Sequence, residues 1–195
     1  MKKILGVISL MAIAMVLGAC HDNAKKPVAT NDDTTAVVEN VVEDTTVYGV
    51  CGANTAMHTL ELITTAGDTL SYLIDEETTP PTQVLGGLLA GDRMAVVGGV
   101  VDGERVARRI INLSTLLGKW TSLDRNFEIQ EDGVVASSAT VESNPWKTWK
   151  IVNGHLVLNA DTFDINSLGA DSLYIENDKG IFVYQRPNVV VQSRP

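Results

Sequence analysis

Trp146–Arg186 reads WKTWKIVNGHLVLNADTFDINSLGADSLYIENDKGIFVYQR. Apolar and polar residues alternate through WKTWKIV, HLVLN, TFDIN, DSLYIE and IFVYQR, each run only five to seven residues long. Period-two alternation sends one face of each run towards a core and the other towards water, the mark of half-buried strands. Asn153 and Gly154 separate the first two runs; both central residues of such a turn need positive φ, so the pair specifies a tight hairpin. Leu168–Asp171 and Asn177–Gly180 supply turn material between the later runs.

Upstream, LLGKWTSLDRNFEI and VVASSATVE extend the pattern, with turn residues at Glu131–Gly133 and Ser143–Pro145. About eight short strands in roughly seventy residues, each joined to the next by a short turn, predict an up-and-down meander that closes into a barrel. A second block precedes it: TTVYGVCG, HTLELITT and TLSYLID, then GDRMAVVGGVV and ERVARRIINL joined by Asp102 and Gly103. Between the third and fourth of these lies TPPTQVLGGLLAGD, where Pro80 and Pro81 break the strand and Thr82 is expected to cap one helical turn. No long segment has the 3.6-residue period of a helix, so the fold class is all-β: a small barrel followed by an eight-stranded one. The expected boundaries are 44–113 for the first barrel and 114–195 for the second.

Two resemblances follow. Five strands with a short helix between the third and fourth, and the stretch LLAGDRMAVVGGVV, resemble an OB-fold over residues 44–113. Gly118-Lys119-Trp120 resembles the G-x-W signature of lipocalins, and Arg186 matches the basic residue that packs across the tryptophan ring in that family. The resemblance, over about 115–187, is to the short lipocalin-like domains of bacterial lipoproteins. It implies that Trp120 plugs the closed end of the barrel while the guanidinium caps its face, worth roughly 0.5–2 kcal/mol. It also implies a small hydrophobic or amphipathic ligand. The barrel is shorter than a full lipocalin, so its interior either encloses a cavity or is filled by side chains.

Trp146 and Trp149, three apart, fall on opposite faces of one strand. Trp149 with Ile151 forms a core-facing row; Trp146, after Pro145, lies near a rim, where it either grips a ligand or covers the core edge. The row Phe182, Tyr184, Arg186 offers the same choice between barrel core and binding wall, and Trp146 and Tyr184 are the candidate ligand contacts.

The amino terminus is an address. Lys2 and Lys3 precede an uncharged run from Ile4 to Gly18 that ends at Cys20 and then His21, Asp22 and Asn23. A basic start, a short apolar core and small residues at a cleavage site make a secretory signal over residues 1–19, and the run is shorter than the roughly 20 residues of a bilayer span. Leu17-Gly18-Ala19-Cys20 resembles the lipobox of bacterial lipoproteins, which implies lipidation of Cys20 and an anchor in the outer membrane. Residues 20–43 are rich in Asp, Asn, Thr and Ala and read as a tether. No dense acidic cluster directly follows Cys20 to indicate surface export, and which face of the membrane the chain occupies stays open.

Composition narrows the function. Removing Lys2 and Lys3 makes a formal charge of −9 two units more negative, which argues against nucleic acid and against a polybasic grip on anionic lipid. With Cys20 lipidated, Cys51 has no intramolecular partner, so no disulfide is expected; Cys51 is a buried hydrophobe or a reactive thiol. His21, His58 and His155 lack metal-ligand spacing, so neither metal nor cofactor is expected. No nucleophile elbow, phosphate loop or dinucleotide fingerprint occurs, and acidic residues such as Asp75–Glu77, Glu131 and Asp132 fall in turns. Arg108 and Arg109 read as charges that blunt a solvated strand edge. The expectation is a non-enzymatic envelope lipoprotein that binds a small hydrophobic or amphipathic ligand. The alternative is an interaction lipoprotein with filled barrels that holds an envelope protein or glycan.

Overall fold

The computed structural model describes residues 43–137 and 145–187. The signal segment, Cys20 and the tether up to residue 42 therefore lie outside the described residues. What is described is nearly all β, in a closed five-stranded barrel and a nearly closed eight-stranded one. The described residues belong to one compact unit.

The first barrel is built from β1 (Val47–Cys51), β2 (Thr59–Thr64), β3 (Thr69–Ile74), β5 (Arg93–Val101) and β6 (Glu104–Asn112). Its strands run in the order β3-β2-β1-β5-β6, and β3 closes the ring by pairing parallel with β6 at Leu73↔Val106 and Ile74↔Ala107. The turn at Asp102-Gly103 has φ of 51° and 87°, the doubly left-handed geometry that a two-residue hairpin needs.

The helical turn expected at Thr82 is replaced by a short strand, β4 (Gln83–Leu85), paired parallel with β6. The Thr82 hydroxyl, instead of capping a helix, donates to the Ala107 carbonyl at 2.6 Å and accepts from the Asp75 amide at 3.0 Å. A free strand edge on β6 thus outcompetes the local cap.

Asn112 ends β6 and caps α1 (Leu113–Leu116), its side chain accepting from the Thr115 amide. The eight-stranded sheet follows: β7 (Gly118–Thr121), β8 (Asn126–Ile129), β9 (Val135–Ser137), β10 (Trp149–Val152), β11 (His155–Leu158), β12 (Asp161–Leu168), β13 (Ser172–Asn177) and β14 (Gly180–Gln185). It runs β10-β11-β12-β13-β14-β7-β8-β9. The β9/β10 seam is drawn together by the Val134↔Thr148 bridge and by the Val135 amide donating to the Lys147 carbonyl at 2.9 Å. Asn153-Gly154 takes φ of 49° and 83° at the β10–β11 turn.

The two barrels share a core. Val96 and Ile110 point into the first barrel, while their neighbours Ala95 and Ile111 join Leu85, Leu113 and Leu116 in one cluster with the interior of the second. Strands buried on both faces read as continuous apolar runs, and MAVV and II in β5 and β6 are such runs. Polar contacts reinforce the seam: Tyr48 Oη donates to the Ile151 carbonyl at 2.7 Å, the Gly86 amide to Leu168 at 3.0 Å, and Arg93 pairs with Glu131 at 3.3 Å. Burial and the charge of Asp44 hold the Tyr48 phenol above its ordinary pKa. Arg109, read as a solvated edge, instead reaches across to Gln83 Oε1 at 2.8 Å, the Gly154 carbonyl at 2.9 Å and Asp164 at 3.3 Å. The edge it was expected to blunt is already covered, so its charge serves the contact between barrels.

Candidate functional site

Because β7 to β14 alternate in direction, the second barrel has two distinct ends. Trp120, α1, the 169–171 turn and Arg186 gather at one end, which faces the first barrel. The turns at Ser122–Arg125, Asn159–Ala160 and Asp178–Lys179, with Trp146, gather at the other. We call the second end the mouth.

At the closed end Trp120 is fully buried, and its indole N–H donates to the Leu116 carbonyl at 2.8 Å. The Arg186 guanidinium lies 3.7 Å over its ring centroid. That same group donates to the carbonyls of Thr115 at 2.6 Å, Leu117 at 2.8 Å, Lys119 at 3.1 Å and Ala170 at 3.3 Å. Burial draws its pKa below the ordinary value, with Asp171 opposing. Gly118 has φ of +107°, and a Cβ there would fall 2.8 Å from an Arg186 nitrogen; the backbone conformation and the close approach both call for glycine.

Trp146 belongs less to a rim than to a core. It is 6% exposed, and its ring meets Phe127 at 5.1 Å, Phe163 at 5.6 Å and Tyr184 at 6.4 Å, all edge to face. The opposite-face argument fails because β10 begins only at Trp149; period two does not extend into the preceding loop, which folds Trp146 inward. Trp149 is half-buried against the same cluster, its indole N–H donating to the Gln130 carbonyl at 2.7 Å across the β9/β10 seam. Tyr184 is 2% exposed and meets Phe127 at 4.9 Å. Side chains thus fill the barrel axis from Trp120 to Trp146.

The open space lies above and beside that filling. A cleft of about 500 Å³ at the mouth is bordered by Arg125, Trp146, Phe163, Lys179, Phe182 and Tyr184 among others. It exists because β14 pairs with β7 only at Gln185↔Thr121, whereas β13 pairs with β14 at six positions. Residues Ile181–Tyr184 therefore face the Ser122–Arg125 turn across a gap. Arg125 stacks 3.9 Å over the Trp146 ring, and Lys179 pairs with Asp161 at 2.8 Å, which raises the Lys179 pKa. Neither cation was legible as part of a site, since each sits in a turn where a solvated charge is the ordinary expectation. The arrangement offers the half-buried Phe182 ring above buried Trp146, Phe163 and Tyr184, with charges at its edge, suited to an amphipathic molecule.

Residues 112–187 match the family described as Lipocalin-like. The second barrel is lipocalin-like. The match begins at the cap of α1 and ends just past Arg186, so this lipocalin-like domain includes the closed-end contacts and the mouth cleft. No curated protein and no solved structure gives a match to the chain.

Away from the cleft, His58 is exposed and His155 pairs with Asp164 at 2.8 Å. Cys51 is buried and unpaired by disulfide, its thiol 3.3 Å from the Thr55 hydroxyl. Among the described residues no group of three or more His, Cys, Asp or Glu is arranged to hold a metal ion.

Proposed function

We propose that this chain is a non-enzymatic lipoprotein, anchored through Cys20 in the outer membrane of the cell envelope, whose lipocalin-like domain binds a small hydrophobic or amphipathic molecule at the mouth cleft. The observation that carries the reading is the cleft of about 500 Å³ over Trp146, Phe163, Phe182 and Tyr184, within the size range of small-molecule sites. Because the axis below is filled, the ligand lies across the mouth and along the β14 edge instead of descending into the barrel. The anchoring half rests on the sequence Leu17–Cys20.

The filled axis also favours a second reading, in which the chain binds an envelope protein or glycan through its surface. The order β1-β2-β3-β6-β5 with a parallel β3/β6 closure supports an OB-like first barrel, whose loops would then be the contact surface. Native mass spectrometry of protein purified from its own envelope separates the two. A retained lipid or metabolite at one per chain supports the ligand reading; a chain of bare mass that co-purifies with a polypeptide or glycan contradicts it. The same spectrum reports diacylglyceryl and acyl mass on a chain starting at Cys20, and its absence would overturn the anchor.

A further inference from the structure

Leu123, at the tip of the Ser122–Arg125 turn, is fully exposed. Ile181 and Val183, 62% and 40% exposed, stand on the outer face of β14, with Tyr174 paired opposite Val183 and 39% exposed. Ile181 and Val183 border the same cleft as Ser122 and Asp124, the two neighbours of Leu123. Leu123, Ile181 and Val183 thus flank one side of the mouth, with Tyr174 beside Val183 on the outer wall, and a grouped exposed apolar surface marks an interaction site where scattered single residues would not.

We propose that this lip is a membrane-docking surface, which seats the mouth against the bilayer that holds the chain's own anchor. The inference rests on the anchoring reading above and goes beyond it by fixing which end faces the lipid. Charge is compatible with it. Around the mouth Arg125 and Lys179 stand against Asp124, Asp161 and Asp178, close to balance. Docking at this end is driven by apolar insertion instead of attraction to anionic headgroups. The opposite end of the barrel cannot compete, because Leu113, Leu116 and Trp120 there are already buried in the shared core. Reach is sufficient: residues 21–42 separate Cys20 from Glu43, and a stretch of that length spans at most roughly 75–80 Å, against about 40 Å for the diameter of a domain of this size. An amphipathic ligand would then pass between bilayer and cleft without crossing open water.

The test uses the lipid-anchored chain in vesicles of phosphatidylethanolamine and phosphatidylglycerol, with a single environment-sensitive nitrobenzoxadiazole label introduced through Leu123→Cys. Cys51 is 2% exposed and Cys20 is occupied by lipid, so the new thiol is the one that reacts. Val100→Cys, on the exposed β5–β6 hairpin of the first barrel, is the control. The expected result is at least a threefold lower iodide quenching constant at position 123 than at position 100, with strong quenching at 123 by brominated lipid. Adding Ile181→Asp and Val183→Asp, both on the exposed face, should erase the difference. Equal iodide quenching at the two positions overturns the proposal, as does protection at position 100 alone. Protection at 123 without quenching by brominated lipid also overturns it, since that signifies a protein contact. Vesicle flotation reports anchoring separately; if the chain does not float, a Cys20→Ser chain carrying the same label and tethered by a terminal hexahistidine on chelating lipid still decides the docking question.

Discussion

Replacing Arg186 by leucine removes the group that ties α1, β7 and the 169–171 turn together while leaving an apolar stem against Trp120. Two of its acceptors, the carbonyls of Thr115 and Leu117, are partly buried, and each left without a donor costs about 1–3 kcal/mol. Those of Lys119 and Ala170 are exposed and regain water. The stacking over Trp120 at 3.7 Å contributes roughly 0.5–2 kcal/mol more. Water reaches the half-exposed guanidinium, so the low end of each range applies, and the total comes to about 3 kcal/mol. For a unit of roughly 150 residues each kcal/mol moves Tm by about 2–4 °C, giving a fall of about 6–12 °C. Arg186→Lys keeps the charge but replaces the planar fork by a point donor that can satisfy only part of this set, and should lose about half as much. Differential scanning calorimetry of the two variants at pH 7 checks both values. Arg186→Leu melting within 2 °C of the wild type, or Arg186→Lys indistinguishable from it, would refute the reasoning.

Trp120→Ala deletes a fully buried ring and should cost about 3–5 kcal/mol, read as a shifted midpoint in urea; an unchanged midpoint would mean that Trp120 is not part of the packed core. The shared core predicts one calorimetric transition for both barrels, and Arg109→Ala and Asp164→Ala should show a coupling of about 0.5–1 kcal/mol in a double-mutant cycle, whereas two resolved transitions would contradict the shared core. Asp44 is raised by desolvation, but hydrogen bonds from Thr46 and from the Thr46 and Asn153 amides, with the charge of Lys150, outweigh this and leave its pKa below the ordinary 3.8. A depressed folded pKa means stability that is fully present above the unfolded value and is lost as pH falls through the folded one. Asp44→Asn should therefore lower Tm at pH 6 and make little difference at pH 2.5; an effect of equal size at both would sink that assignment.

Local patterning carried most of the fold. The eight runs from Gly118 to Gln185 and the turns at Asp102-Gly103 and Asn153-Gly154 needed only period two and positive φ, both of which are written in neighbouring residues. Where the reading went astray, a distant partner decided. Thr82 and Gln83 obey the edge of β6 instead of a local cap, and Trp146 turns inward because the strand that would have imposed alternation starts three residues later. Arg109 looked like surface because a charged residue by itself carries no sign of what its side chain will cover. Yet the double-faced runs MAVV and II in β5 and β6 did hold that signal: in a small barrel with one wet face they should have alternated. The closed end was approachable from Gly118, Trp120 and Arg186, since the partners are few and chemically distinctive. The mouth was not, because its cleft arises from a missing stretch of β7–β14 pairing, and an absent pairing leaves no pattern to read.

The central claim is that the mouth cleft, and not the barrel axis, takes the ligand. It is tested most directly by titrating the protein with 1-anilinonaphthalene-8-sulfonate, an amphipathic probe, while following both probe and tryptophan fluorescence in the wild type and in Ile181→Asp and Phe182→Asp variants whose melting is unchanged. Saturable binding at one probe per chain, with tryptophan emission quenched and affinity at least fivefold weaker in the variants, is the predicted result. Saturable binding that the two variants leave untouched, or no saturable binding at all, would contradict the account.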